Sequence, residues 1–179
     1  MVKIEMRIHV ILSGLLLATS FLGCATTGGV GKSDKLYKSF YLEDGGLKYF
    51  IKPMKFKGSD SELLIDFNIE SFEGDSAVVN FSIFHSEPFK KLSSFRISTP
   101  DTAIKAYAIK SMFVELEKSN NYESRFTSLI PNTGLKKIFT EPNWEINARR
   151  NQTELTFHSR RKIEKDINLI DRAVFQLLD

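Results

Sequence analysis

Two histidines are the first candidates for chemistry in this sequence. His85 and His158 each follow a stretch of alternating apolar and polar residues, and each precedes a serine, Ser86 or Ser159. A histidine beside a serine could activate a nucleophile, but that chemistry also needs a third group to orient the ring and a strained nucleophile turn, which glycines usually mark. The sequence has no such turn, so we interpret both histidines as ordinary residues at the ends of strands.

The acidic residues offer two further kinds of site, a metal site and a carboxylate pair. The stretch Glu73-Gly74-Asp75 lacks the additional oxygen ligands of a calcium loop, and the sequence contains neither a cysteine cluster nor an HExxH motif. Glu141, Glu145 and Glu154 could form a hydrolytic carboxylate pair only if the fold brought two of them together. We therefore predict no metal and no cofactor, and the sequence argues against an enzyme more than for one.

One aromatic and several basic residues are candidates for binding. Trp144 stands close to Pro142, where it could either pack in the core or present its ring to a ligand or partner. Basic residues flank the predicted strand Leu155–Phe157. If that strand belongs to a hairpin, they could gather at one end and contact anionic lipid headgroups, a glycan or a partner protein, and an ordinary solvated surface is the alternative. These basic residues are Arg149, Arg150, Arg160, Arg161 and Lys162.

A glycine-rich stretch near the N-terminus resembles a phosphate-binding loop. Residues Thr27 to Ser33 read TGGVGKS, which is similar to the deviant Walker A loop of the ParA and MinD ATPases, with Thr27 where that family has its signature lysine. Such a loop works between a strand and a helix of a parallel sheet, and the residues around it predict neither. We therefore interpret residues 24–39 as a flexible tether.

The first 23 residues differ in composition from the rest of the chain. Lys3 and Arg7 make the start positive, and Val10 to Gly23 carry no charge. The length of this uncharged run is typical of a signal-peptide core and is short for a membrane-spanning helix. The run ends in Phe21-Leu22-Gly23-Cys24, which resembles the bacterial lipobox, and Cys24 is the only cysteine of the chain.

The lipobox resemblance implies a fate for the leader and for Cys24. Proteins of this kind carry a diacylglyceryl thioether on the lipobox cysteine and are cleaved before it. Residues 1–23 would then be removed as a signal peptide, and the lipid on Cys24 would hold the protein in a membrane of the bacterial cell envelope. Ala25 follows where an Asp would mark inner-membrane retention in enterobacteria, so the outer membrane is favoured over the inner. An uncleaved anchor and an ordinary signal peptide are the alternatives.

Behind the tether, residues 40–179 predict a single domain rich in β-structure. Apolar and polar residues alternate over Leu63–Ile69 and again over Ala77–Ile83, across a short polar turn, which predicts a hairpin. Weaker alternation predicts a second hairpin of Met112–Leu116 with Tyr122–Ile130 and a total of seven or eight strands. A C-terminal amphipathic helix is predicted by the spacing of Ile163, Ile167, Ile170, Val174 and Leu177.

The predicted fold class is therefore mainly β. The expected architecture is an antiparallel sheet or β-sandwich with a C-terminal amphipathic helix, and a curved α+β sheet is the alternative. The composition agrees with a folded domain, since 42% of the 179 residues are hydrophobic and 26% are charged.

Charge and motif content limit the classes of function. The net charge of +3 is too small to predict nucleic-acid binding. The preferred hypothesis is a lipid-anchored envelope protein that works as a non-enzymatic binding or interaction module, with another envelope protein or a glycan as partner. A lipid-anchored hydrolase and a carrier with a small-ligand cavity inside the sheet are the alternatives, and the oligomeric state stays open.

Overall fold

Antiparallel strands dominate the computed structural model, which describes residues 36–43, 45–70, 75–118 and 120–176. Cys24, the leader before it and the TGGVGKS stretch lie outside these residues, so the predictions made for them stay predictions. Ten strands occur in the described residues: β1 (Tyr37–Tyr41), β2 (Leu47–Lys57), β3 (Glu62–Glu70), β4 (Ser76–His85), β5 (Ser94–Ser98), β6 (Ala103–Lys105), β7 (Tyr107–Leu116), β8 (Tyr122–Pro131), β9 (Glu145–Arg150) and β10 (Thr153–His158).

Two short helices and a helical turn accompany the strands in the described part of the chain. Helix α1 (Asn132–Phe139) follows β8, and α2 (Arg161–Ile170) continues into a π-helical turn, Asp171–Phe175. The predicted C-terminal helix is thereby confirmed, although Leu177 lies outside the described residues. None of the described helices has the length and apolar character needed to cross a membrane. The predicted apolar face is buried at Ile163, Ile167, Ile170 and Val174.

The strands form an antiparallel sheet that curls back on itself. Their order is β6-β5-β9-β10-β2-β3-β4-β8-β7, and β1 also pairs with β2. Strands β6 and β7 stand at opposite ends of this order, yet Ala106 alone separates them in the chain. The two ends of the sheet must therefore approach each other. The predicted class, mainly β with antiparallel strands and a C-terminal helix, is confirmed.

The hairpin predicted from the strongest alternation is formed by β3 and β4, in which Leu63 lies opposite Ile83. The second predicted hairpin is β7 with β8, where Leu116 lies opposite Tyr122. Strands β1 and β6 were not predicted. Residues 37–39, assigned to the tether, instead belong to β1, because this segment pairs with β2 and packs the ring of Tyr37 against that of Tyr49, with ring centres 6.1 Å apart.

Aromatic rings fill the inside of the curled sheet. Phe81 of β4 stacks on Phe95 of β5 with ring centres 3.8 Å apart, and Phe126 of β8 lies 5.4 Å from Phe81. Since β4 and β5 are far apart in the strand order, these contacts bring the two halves of the sheet face to face. Each fully buried ring stabilises the fold by about 1.5–3 kcal/mol.

Candidate functional site

Trp144 lies in the core. It is 1% exposed, stacks on Phe56 with ring centres 6.1 Å apart and meets the ring of Phe139 edge-on at 4.8 Å. The indole N–H donates to the carbonyl oxygens of Ile138 at 3.1 Å and Glu141 at 3.0 Å. The ring is therefore out of reach of a ligand or partner. The contact role suggested for Trp144 does not fit this burial, and core packing describes the residue.

The basic residues on the two sides of β10 do not gather at one end. Strands β9 and β10 do form the expected hairpin, with Arg149 and Arg150 beside its connecting turn. Arg160 and Arg161 follow the other end of β10, roughly 17 Å away, because each strand residue advances the chain by about 3.4 Å. Because of this separation the four arginines do not form a common patch, contrary to the expectation from the sequence.

Arg150 contacts the loop that follows β4. Its Nη2 atom lies 2.7 Å from Oε2 of Glu87, and its Nη1 atom donates to the carbonyl oxygen of Pro88 at 2.9 Å. The guanidinium group also lies 4.3 Å from the centre of the Phe89 ring. These contacts hold the loop against the β9–β10 turn, so we assign Arg150 a structural role.

His85 lies near a surface cavity of about 480 Å³ whose lining includes Asp60 and Arg160. The Nδ1 atom of His85 accepts the backbone N–H of Glu87 at 2.9 Å. The ring hydrogen is therefore on Nε2, which faces Oδ2 of Asp60 at 3.5 Å. In this tautomer the ring has no nitrogen available to accept a proton from a nucleophile, and no hydrogen bond joins Ser86 to the ring in the described residues.

The second histidine–serine pair, His158 with Ser159, is also not arranged for catalysis. His158 is exposed, and its Nδ1 atom lies 3.9 Å from Oε2 of Glu145 across the β9–β10 pair. Ser159 donates its hydroxyl hydrogen to Glu164 instead of to the histidine. Both histidines therefore stand at strand ends, as the sequence predicted, and neither bonds to its neighbouring serine in the described chain.

The three carboxylates considered for hydrolysis are those of Glu141, Glu145 and Glu154. Glu145 and Glu154 stand at opposite ends of the β9–β10 hairpin. Glu141 accepts hydrogen bonds from the hydroxyl groups of Thr102 and Thr99, which hold the pKa of Glu141 below its ordinary range. A lowered pKa is the opposite of what a general acid needs. The described residues also hold no group of three or more potential metal ligands.

One outer face of the sheet carries a groove that we call the basic groove. Its floor is formed by β6, β5, β9 and β10. Side chains alternate between the two faces of a strand, so Arg96 points outward while Phe95 and Ile97 on either side of it are fully buried. The groove has a volume of about 370 Å³ and is lined by Ser94, Arg96, Lys105, Asn147, Arg149 and Glu154.

The register of the strands places Arg96 at the centre of the basic groove. It lies directly opposite Lys105 on one side and Asn147 on the other, and Arg149 is two residues farther along β9. Asn147 is 7% exposed. Its side chain accepts a hydrogen bond from Nη2 of Arg96 at 3.2 Å and donates one to Oγ1 of Thr156 at 3.1 Å. These bonds fix the amide and orient the guanidinium group.

The charges in the basic groove are not balanced. Arg96, Lys105 and Arg149 contribute three positive charges, and Glu154 contributes one negative charge. No carboxylate oxygen of the described residues lies within 4 Å of these three cations. Arg96 and Lys105 also form a pair of like charges directly opposite each other, which destabilises a sheet. The arrangement therefore suits an anion.

Arg149 was the one residue of this groove predicted from the sequence as a contact residue. The alternation around Arg96 could have placed its side chain on an outer face. The pairing of β5 with β9 has no local signal, because Arg96 and Asn147 are far apart in the chain. Lys105 was missed for a similar reason, since β6 is too short to show a pattern.

A second polar cluster lies on the outer face of β3, β4 and β8. Asp66 is only 2% exposed. It receives hydrogen bonds from Arg125 and Asn80, both at 2.8 Å. Arg125 also donates to Ser82 at 3.0 Å, and Ser82 donates to Glu123 at 2.6 Å. The members bond to one another, so this cluster joins three strands instead of facing a ligand.

Comparison with known proteins gave no match. No protein-family model matches this chain, and neither a curated protein nor a solved structure does.

Proposed function

We propose that this protein is a lipid-anchored component of the bacterial cell envelope, with its β-rich domain working as a non-enzymatic binding module. The N-terminal pattern supports the anchor, because a positive start and an uncharged run precede Phe21-Leu22-Gly23-Cys24. Two or more acyl chains hold a protein stably at a membrane. The outer membrane is the proposed location, and the partner is another envelope molecule, either a protein or a glycan.

The basic groove is the observation that carries the binding role. Its side chains stand on paired strands, so ladders of backbone hydrogen bonds hold its shape. Arg96 is further oriented by Asn147. Positive charge that is fixed in place before a ligand arrives attracts and orients an anionic group, and this serves recognition.

A hydrolase is the second candidate, and Asp60 with His85 is the observation in its favour. An acidic residue that orients a histidine beside a cavity is part of the machinery of many hydrolases. The ring of His85 would have to release the backbone N–H of Glu87 before it could act as a base. The binding module needs no such rearrangement and is therefore the better supported function.

Metabolic labelling of the full chain with a clickable palmitate tests the anchor. Wild type is expected to incorporate the label and to sediment with membranes. The Cys24→Ala variant should lose the label, because the thioether needs the thiol and the chain has no other cysteine. Ser33→Ala, a change in the tether, is the matched control and should label like wild type. Equal incorporation by Cys24→Ala and wild type would show that the anchoring proposal is wrong.

A further inference from the structure

We propose that the basic groove binds a phosphate group through Arg96, Lys105 and Arg149. This inference rests on the proposed function, for which it names the ligand chemistry. Neighbouring strands lie about 4.8 Å apart, and residues two positions apart on a strand are separated by about 6.8 Å. The Cα atoms of the three cations therefore fall within about 12 Å of one another, and their long side chains can meet at one ligand.

The donors in the groove fit the oxygen atoms of a phosphate. The guanidinium group of Arg96 uses one nitrogen to bond Asn147, and a guanidinium carries five N–H donors in a planar fork. Arg149 adds a second fork, and Lys105 adds an ammonium group with three donors that can rotate. Phosphate accepts hydrogen bonds on several oxygens at once, and arginine forks match the spacing of those oxygens. The hydroxyl group of Ser94 lies in the same lining.

Charge favours phosphate over carboxylate as the ligand. The groove has two positive charges that Glu154 does not offset. A phosphate monoester carries about −1.5 to −2 at pH 7, whereas a carboxylate carries one negative charge. A bound phosphate would bring the local charge close to zero and relieve the repulsion between Arg96 and Lys105. Glu154 would repel a longer polyanion, so the expected ligand is a single phosphate group and not a nucleic-acid backbone.

Phosphate could reach the groove from two sources, a soluble phosphorylated molecule or the phosphodiester of a lipid headgroup. Both offer the same oxygen atoms to Arg96 and Arg149. They differ in charge, because a phosphodiester carries one negative charge, and in place, because a headgroup is confined to a membrane or micelle. The titration therefore has one arm for the soluble ligand and one for the lipid headgroup.

Calorimetric titration of the full chain in a neutral detergent tests the groove, with inorganic phosphate as the probe and chloride as the reference at equal ionic strength. Arg96→Gln and Arg149→Gln should each weaken binding about tenfold or more, because each removes charge-assisted hydrogen bonds. Glu154→Gln should tighten binding severalfold, because it removes a repulsive charge. Arg161→Gln is the matched control, since it removes the same charge at the far end of β10 and should bind like wild type.

Two outcomes would overturn the inference. Wild-type affinity in both Arg96→Gln and Arg149→Gln would show that the groove does not hold the phosphate. An equal loss in Arg161→Gln would show that binding follows total charge. If Arg96→Gln fails to give the circular dichroism spectrum of wild type, Arg149→Gln decides the test, because Arg149 is exposed and its removal leaves the core intact.

The source of the phosphate is distinguished by repeating the titration in micelles that contain phosphatidylglycerol or, at the same negative charge, a fatty acid, which has no phosphate. A weaker apparent affinity in the phosphatidylglycerol micelles indicates that the phosphodiester headgroup competes for the groove. Equal affinities indicate a soluble phosphorylated ligand. The palmitate experiment is independent of the groove. Loss of label with phosphate binding intact contradicts the anchor, and loss of phosphate binding with label intact contradicts the groove.

Discussion

The carboxylate of Glu141, which precedes β9, bonds to the turn between β5 and β6. The hydroxyl groups of Thr102 and Thr99, at the turn between β5 and β6, donate to it and lower its pKa. A carboxyl group with a lower pKa in the folded than in the unfolded protein stabilises the fold above the unfolded pKa, about 4.3 for glutamate. That stabilisation is lost as the pH falls through the folded pKa.

We therefore expect Glu141→Gln to be less stable than wild type at pH 7, and we expect the difference to shrink as the pH falls below about 4. Urea unfolding followed by circular dichroism at pH 7 and pH 3 measures the difference. Glu43→Gln, at an exposed position, is the control and should match wild type at both values. A Glu141→Gln deficit that is the same at both pH values would contradict this interpretation of the threonine hydrogen bonds.

Trp144 anchors the aromatic core, and its removal should be costly. We expect Trp144→Ala to lower the free energy of unfolding by about 3–5 kcal/mol, because it leaves a cavity among buried rings and removes the donor to two carbonyl oxygens. Circular dichroism is the appropriate probe, since Trp144 is the only tryptophan. Tyr41→Ala, at a position 86% exposed, should change the free energy by less than about 0.5 kcal/mol. A similar small effect in Trp144→Ala would contradict the burial.

The turn between β2 and β3 packs closely against β10. A Cβ atom on Gly58 would lie 2.9 Å from the backbone oxygen of Thr156 and 2.6 Å from Oγ of Ser61. The Ser61 hydroxyl can rotate away, but the backbone oxygen cannot. Gly58 is therefore required by this close approach between two strands that are far apart in the sequence.

Gly58→Ala should destabilise the protein by about 1–3 kcal/mol, because the added methyl group forces the β2–β3 turn away from β10. Thermal unfolding measures the change. Ser59→Ala, at an exposed position in the same turn, should lie within about 0.5 kcal/mol of wild type. Wild-type stability in Gly58→Ala would show that the turn does not contact β10 as closely as described.

A strand or helix could be predicted when its own residues show a clear alternation or helical spacing. Strands β3 and β4 alternate clearly and are separated by only a few residues in the chain, so their pairing was predicted correctly. Helix α2 was predicted from the spacing of its buried isoleucines. Strand β6 has three residues, which is too few to show a period. Residues 37–39 of β1 were assigned to the tether because this mostly exposed strand shows no regular alternation of apolar and polar residues.

The candidate site was harder to predict than the elements, because it depends on long-range pairing. Arg149 was selected as a basic residue near a predicted hairpin, but its neighbours in the groove come from β5 and β6. Trp144 illustrates the opposite difficulty. Its type suited either a contact surface or a core, and only its packing against Phe56 and Phe139 distinguishes the two.

The whole domain is a curled sheet with an aromatic interior and two different outer faces. On one, Asp66 and Arg125 belong to a cluster whose members bond to one another. On the other, Arg96 and Lys105 stand opposite each other without a carboxylate partner in the described chain. This difference is the reason for placing the binding site on the second face. The proposed anchor at Cys24 would keep that face outside the cytoplasm, where envelope ligands are found.

The intact mass of the protein purified from membranes is the sharpest test of the lipid-anchored module. We predict a mature chain that begins at Cys24 and carries the mass of a diacylglyceryl group, with a fragment spectrum that places the lipid on that residue. A chain that retains residues 1–23, or one that begins elsewhere and carries no lipid, would contradict the anchor on which the proposed function depends.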